Sequence, residues 1–121
     1  MQILIAEDDD FSDTHLSIIV KKFSKEILHT KTGKETVDLC RNNPDIDLVL
    51  MDIKMPEMNG YDATMQIRKF NKDVIIIAQT AYALHGDREK AIKAGCNDYI
   101  SKPINKEVLC EKIEIFLRII K

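Results

Sequence analysis

The amino-acid pattern predicts an α/β protein: one parallel sheet covered by helices on both faces. Three observations carry that expectation. Short apolar runs of strand length recur about five times, helical patterns fall between them, and several of the runs are apolar without alternation. Continuous apolar strands are what burial on two faces requires, and a strand–helix alternation favours parallel pairing.

Each element has its own signal. The first run, ILIA at residues 3–6, is followed by helical spacing at Leu16, Ile19, Val20 and Phe23. A weaker second run centres on Ile27 and Leu28. The third, Leu48, Val49, Leu50 and Met51, ends in Asp52, and Ala63, Ile67 and Phe70 then repeat at helical spacing. VIIIA at 74–78 and DYIS at 98–101 complete the set of strands, and a last helix is expected over Asn105 to Lys121. Gly33, Asn59-Gly60, Gly86 and Gly95 are read as punctuation between periodic segments, and Lys102-Pro103 separates the last strand from the last helix. In that helix Leu109, Ile113, Phe116, Leu117 and Ile120 make the core face. Val108, Ile115 and Ile119 lie roughly 100° or more around it, either against a neighbouring helix or as a docking face for a partner.

Length and composition limit what such a sheet can be. The chain has 121 residues, enough for one core, so residues 1–121 are expected to form one domain. Hydrophobic residues make up 45% and charged residues 31%, an ordinary globular balance. A net charge of −2 without a basic stripe argues against direct nucleic-acid binding. Cys40, Cys96 and Cys110 form no CxxC pair, so zinc and thiol exchange are not expected. No run approaches the roughly 18 apolar residues of a membrane span, and Met1 leads into a strand pattern rather than a signal peptide. The expected home is the cytosol, without direct membrane contact.

Asp52 poses the functional question, because a carboxylate at the end of a buried strand must reach water or meet a cation. In an open parallel sheet the functional crevice lies beyond the carboxyl ends of the strands. There the first strand ends in Glu7-Asp8-Asp9-Asp10, the third in Asp52, the fourth in Gln79-Thr80-Ala81 and the fifth in Ser101-Lys102-Pro103. If these strands are neighbours, acids, a hydroxyl and an ammonium share one small volume. Like charges so close resist joint ionisation, and a divalent cation resolves the conflict. Oxygen ligands without His or Cys suit Mg²⁺. Asp is a competent nucleophile toward phosphoryl groups, and Mg²⁺, Lys102 and Thr80 could stabilise charge on the equatorial oxygens. On this reading Asp52 sits at a strand tip to be phosphorylated.

The strings ILIAEDD, LVLMDIKMPEMNG, IIIAQTAYA and NDYISKPI, in this order, resemble the receiver domain of response regulators in two-component signalling. MDIKMPEMNGYDATMQIRKF and TAYALHGDREKAIKAGCNDYISKPI are most similar to receivers of hybrid sensor histidine kinases. The resemblance implies a flavodoxin-like, doubly wound sheet of five parallel strands in the order 2-1-3-4-5. It implies Asp52 as phosphoacceptor, Glu7 and Asp8 with Asp52 around Mg²⁺, the Lys54 backbone carbonyl as a further ligand, and Thr80 and Lys102 on the phosphoryl group. Tyr99 falls at the position of a rotating aromatic switch, and the Lys102-Pro103 bond is expected to be cis. The implied partners are a sensor histidine kinase as phosphodonor and a downstream histidine phosphotransfer or output protein. The implied chemistry includes self-catalysed phosphorylation and slow dephosphorylation. The chain could be stand-alone or the cytosolic receiver of a membrane-bound hybrid kinase. Glu7 is a departure, since many members carry Asp there.

Plainer explanations cover some of these residues. Asp9 and Asp10 need only favour a helix N-terminus. Tyr99 alone would read as a half-buried aromatic with a wet hydroxyl. His15, His29 and His85 share no ligand spacing and are assigned to the surface or to structure. Three rivals compete for the whole chain. A receiver-fold docking module that is never phosphorylated would have no use for the joint set Glu7, Asp8, Asp52, Thr80 and Lys102. An FMN binder of the same sheet order would meet repulsion from Glu7 to Asp10, and a metal-dependent phosphatase would want a DxD pattern that EDDD meets only loosely.

Overall fold

The computed structural model describes residues 1–81 and 86–120. The expected surface position His85 lies outside the described residues, as does the side chain of Ile120. Strands and helices alternate along the chain: β1 (Ile3–Ala6), α1 (Asp10–Val20), β2 (Ile27–Thr30), α2 (Gly33–Asn42), β3 (Leu48–Asp52), α3 (Gly60–Arg68), β4 (Ile75–Thr80), α4 (Asp87–Ala94), β5 (Asp98–Ser101) and α5 (Lys106–Ile120). The strands form one parallel sheet of order β2-β1-β3-β4-β5. This is the doubly wound, flavodoxin-like arrangement, with β1 and β3 at the centre where the direction of winding reverses.

The apolar strands feed two cores because successive side chains point to opposite faces. Ile3, Ile5, Leu48, Leu50, Ile75 and Ile77 meet Leu16, Ile19 and Val20 of α1 and Leu109 and Ile113 of α5. Leu4, Val49, Met51 and Ile76 meet Val37 of α2, Ala63 and Ile67 of α3 and Ala91 of α4. Four helices begin on a side-chain cap. The oxygens of Asp9, Thr32, Asn59 and Asn105 accept from the backbone N–H of Ser12, Glu35, Asp62 and Val108, each relieving an orphan donor of the first turn.

Four details depart from the sequence expectation. Gly33 and Gly60 are the first residues of α2 and α3 rather than spacers before them. At Gly60 the reason is close approach: a Cβ there would lie 2.3 Å from the Asp52 carbonyl oxygen, so only glycine lets α3 start against the tip of β3. Phe70 falls beyond α3, 40% exposed, with the Arg41 guanidinium 4.9 Å from its ring centroid. Finally, β4 begins at Ile75, one residue later than the run VIIIA, and ends at Thr80, paired with Ser101 of β5. In α5, Leu109 and Ile113 are buried, Phe116 and Leu117 are half-buried, and Val108, Ile115 and Ile119 are exposed. The second stripe is therefore not covered by a neighbouring helix.

Candidate functional site

The sheet order makes neighbours of four strand ends. Register pairs Asp52 with Gln79 and Thr80 with Ser101, while Glu7 follows directly on β1 and Lys102 on β5. Glu7, Asp52, Gln79, Thr80 and Lys102 line a cleft of about 420 Å³ with Asp8, Lys54, Tyr61 and Asp87. Glu7, Asp8, Asp52, Thr80 and Lys102, singled out separately in the sequence, are thus brought together at one place.

Charge is concentrated there beyond what one lysine can balance. Lys102 Nζ donates to Glu7 Oε1 at 2.9 Å and to Asp52 Oδ1 at 3.2 Å, and the second Glu7 oxygen accepts from the Asp9 N–H at 3.2 Å. Glu7 and Asp52 are almost fully buried, whereas Asp8 is exposed. Burial, with the neighbouring Glu7 charge, pushes the Asp52 carboxyl up to about 7, although Lys102 works the other way. Burial alone would lower the Lys102 pKa, but the hydrogen bond to Glu7 and the charges of Asp52 and Glu7 hold it above its ordinary value. Glu7, Asp8 and Asp52 each present an oxygen within 4.8 Å of the others. An all-oxygen set with two buried anions and one open side fits a hard divalent cation that keeps several waters.

Around this centre, the Thr80 hydroxyl donates to Asp87 Oδ2 at 3.1 Å. The Lys102–Pro103 peptide is cis. Tyr99 is half-buried and packs against the core beneath α2, α3 and α4. Asp9 is the N-cap of α1, and hydrogen bonds from the Ser12 N–H and hydroxyl hold its carboxyl below the usual range. His29 pairs with Asp13, Nδ1 to Oδ1 at 2.7 Å, and His15 is exposed, so neither belongs to the cleft. The three cysteines are free and buried, and burial pushes the Cys40 thiol up to about 11, which makes it a poor nucleophile.

Of the cleft wall, sequence reasoning missed Ile53, Tyr61, Asp87 and the side chain of Gln79. Tyr61 directly follows the glycine that lets α3 touch β3. Asp87 opens α4. Gln79 is fully buried with neither amide heavy atom hydrogen-bonded among the described residues. The available signal for Asp87 was an acid in the first turn of the helix that returns from β4.

Fold and cleft together define a doubly wound, flavodoxin-like α/β domain with an acidic cleft beyond its strand ends, and comparison with known proteins gives the family. The family model of the response regulator receiver domain matches residues 3–114. The chain belongs to this family. It is 35% identical over 120 residues to "Hybrid signal transduction histidine kinase I" of Dictyostelium discoideum, covering 93% of this chain and 7% of that protein. It is 33% identical over 117 residues to the polar-differentiation response regulator DivK of Brucella ovis, covering 95% of this chain and 94% of that one. Among solved structures, the receiver domain of a Saccharomyces cerevisiae response regulator, co-crystallised with its histidine phosphotransfer protein, superposes with a TM-score of 0.86 at 33% identity over 93% of this chain and 86% of that one. The protein is therefore a receiver domain of two-component signalling.

Proposed function

We propose that residues 1–121 form one receiver domain that accepts a phosphoryl group on Asp52 from a sensor histidine kinase. The signal would then pass to a histidine phosphotransfer or output protein. The observation that carries this reading is the placement of Asp52: a buried carboxylate at a strand tip, 3.2 Å from an ammonium and among carboxylate oxygens lying within 4.8 Å of one another. A purely structural site would not gather two buried anions around one lysine, since burying unbalanced charge is costly.

In the proposed reaction an Asp52 carboxylate oxygen attacks the phosphorus of a phosphohistidine. A P–O bond forms, the P–N bond breaks, and its electron pair returns to the imidazole nitrogen. Lys102 turns from the two carboxylates toward one phosphoryl oxygen, and the Thr80 hydroxyl takes another, so that charge on the equatorial oxygens meets fixed donors. Glu7, Asp8, Asp52 and the Lys54 carbonyl would hold Mg²⁺, which when bound supplies positive charge against the phosphoryl oxygens. Slow dephosphorylation follows when water attacks the phosphorus and the Asp52 carboxylate leaves. Occupation of Thr80 by the phosphoryl group frees space toward Tyr99, whose ring then turns inward and alters the face of α4, β5 and α5. Residues 83–85 of that face lie outside the described residues.

The hybrid kinase and the co-crystallised receiver support a phosphorelay setting, and the likeness to DivK supports a response-regulator setting equally well. Either setting would be a cytoplasmic one. A net charge of −2 supports protein partners rather than nucleic acid, and no described helix is long and apolar enough to cross a membrane. The test is direct. Incubation with acetyl phosphate and Mg²⁺ should add the mass of one phosphoryl group to the intact chain, and Asp52→Asn should gain none. A variant that still takes up the group stably would contradict the assignment, and a wild-type chain that never does so would favour a docking module of receiver fold.

A further inference from the structure

The hydroxyl that the phosphoryl group needs is already engaged. Thr80 ends β4 and donates to Asp87 Oδ2 at 3.1 Å, and Asp87 lines the same cleft as Asp52 and Lys102. A hydroxyl has a single proton to give. It cannot be given to Asp87 and to a phosphoryl oxygen at once. Unlike Glu7 and Asp52, which share Lys102, Asp87 has no cationic partner among the described residues, so the Thr80 hydroxyl is its attachment to the sheet.

That attachment bears on α4 as a whole. The helix begins at Asp87 after Gly86, whose left-handed φ of 88° supplies no side-chain cap, and Ala91 is its one buried residue. α1, by contrast, is capped by Asp9 and buries Leu16, Ile19 and Val20. A lightly buried helix held at its first residue by one side-chain bond is the element a small local change can move.

We propose that Asp87 is a positioning residue that holds the Thr80 hydroxyl in a resting bond. That bond raises the threshold for the phosphorylated state, and phosphorylation of Asp52, by taking the hydroxyl away, releases the start of α4. The inference rests on the phosphoacceptor reading of the cleft. Asp87 acts in two ways with one sign: it competes for the only proton of Thr80, and its carboxylate faces the incoming phosphoryl group across the cleft. Because the phosphoryl group shifts the equilibrium only by the difference between the two bonds, removing the competitor should strengthen binding of a phosphoryl mimic rather than weaken it.

Beryllofluoride with saturating Mg²⁺ is the probe, titrated calorimetrically into the whole chain. Asp87→Ala should bind it about 3- to 10-fold more tightly than wild type, the range expected when one partly exposed competing hydrogen bond is lost. Asp87→Asn, which keeps the side-chain volume, should fall between the two. In hydrogen exchange, residues 87–94 of free Asp87→Ala should already show the protection that wild type reaches only with beryllofluoride. In a Thr80→Ala background the Asp87→Ala gain should shrink to the part owed to the Asp87 charge, because no Thr80 proton is left to compete for. A merely structural Asp87 would loosen α4 without moving the affinity. If wild type binds in an Asp52-dependent manner and Asp87→Ala binds equally or more weakly, the inference is overturned and the phosphoacceptor reading stands. If wild type binds no beryllofluoride, both fall.

Discussion

The two ends of the sheet treat polar groups in opposite ways. At the amino ends of the strands, side chains tie down loop backbone. Asp47 Oδ2 accepts the Gln2 N–H at 2.8 Å, and Asn71 Oδ1 accepts from Asp73 and Val74 at 3.0 Å. Asn97 Oδ1 accepts from Ile76 at 2.8 Å and from Arg68 at 2.9 Å. Apart from Gln2 Oε1, these groups find partners. At the carboxyl ends, two buried carboxylates share one ammonium and an adjacent buried amide has no partner among the described residues. The same apolar strands join the two ends, so the contrast is local. One end spends its polar residues on stability, while the other keeps negative charge in excess in the place where a divalent cation would balance it.

The largest expected consequence is a pH dependence that belongs to the carboxyl end alone. The Asp52 carboxyl has its pKa near 7 in the fold and near the ordinary 3.8 in the unfolded chain. Between those values the folded protein binds more protons, so stability must fall as pH rises through the window and stay lower above it. Urea melts in the presence of a chelator should lose on the order of a few kcal/mol between the two limits. Asp52→Asn should flatten that fall, and Mg²⁺ at neutral pH should recover part of it by binding the folded state. A fall of the same size in Asp52→Asn would move the origin of the effect elsewhere.

The amino end should show the reverse separation. Arg68 donates from Nε to the Gly95 carbonyl at 2.9 Å, and its other nitrogens reach the Asn71 carbonyl and Asn97. A Cβ at Gly95 would come within 2.8 Å of the Arg68 side chain, so the two are closely packed. Arg68→Ala should cost about 1.5–3 kcal/mol of stability, since two part-buried carbonyls and the Asn97 side chain lose a charged donor. Uptake of phosphate from acetyl phosphate should stay at the wild-type rate at a temperature where the variant is folded. A matching loss of uptake would erase the distinction between the two ends.

Gln79→Leu should give the smallest effect, with the opposite sign. Replacing a fully buried amide that lacks partners with an apolar side chain of similar size removes a desolvation penalty. A gain of about 1 kcal/mol in a chemical melt is expected. Destabilisation instead would mean that the amide is satisfied in solution, most simply by water from the adjoining cleft.

Much of this contrast was legible in the sequence. The uninterrupted run Leu48 to Met51 announced a strand buried on both faces, and a lone acid at its end pointed to the site. Glu7, Asp8, Thr80 and Lys102 could be gathered because strand ends share an edge in any parallel sheet. What remained hidden depends on distances across the fold. Gly60 opens a helix because the Asp52 carbonyl lies where its Cβ would be, and no local pattern carries that fact. Asp87 looked like an ordinary first-turn acid until the strand–helix return laid it beside Thr80. Phe70 fits helical spacing, yet α3 ends before it, with the Lys69 N–H bonded to the Gln66 carbonyl and the Phe70 N–H to the Ile67 carbonyl. Gln79 was read as part of a strand end, and only its full burial distinguishes it.

The central claim is that the carboxyl end of the sheet carries its excess charge for phosphorylation at one atom group, the Asp52 carboxylate. Borohydride reduction converts an aspartyl phosphate to homoserine, so reduction after incubation with acetyl phosphate and Mg²⁺, followed by peptide mapping, reads the position of the acyl phosphate. The account predicts homoserine at position 52 and nowhere else, and none when Mg²⁺ is withheld by a chelator. Homoserine at position 8 or 87, or an unreduced phosphate retained on a histidine, would contradict it.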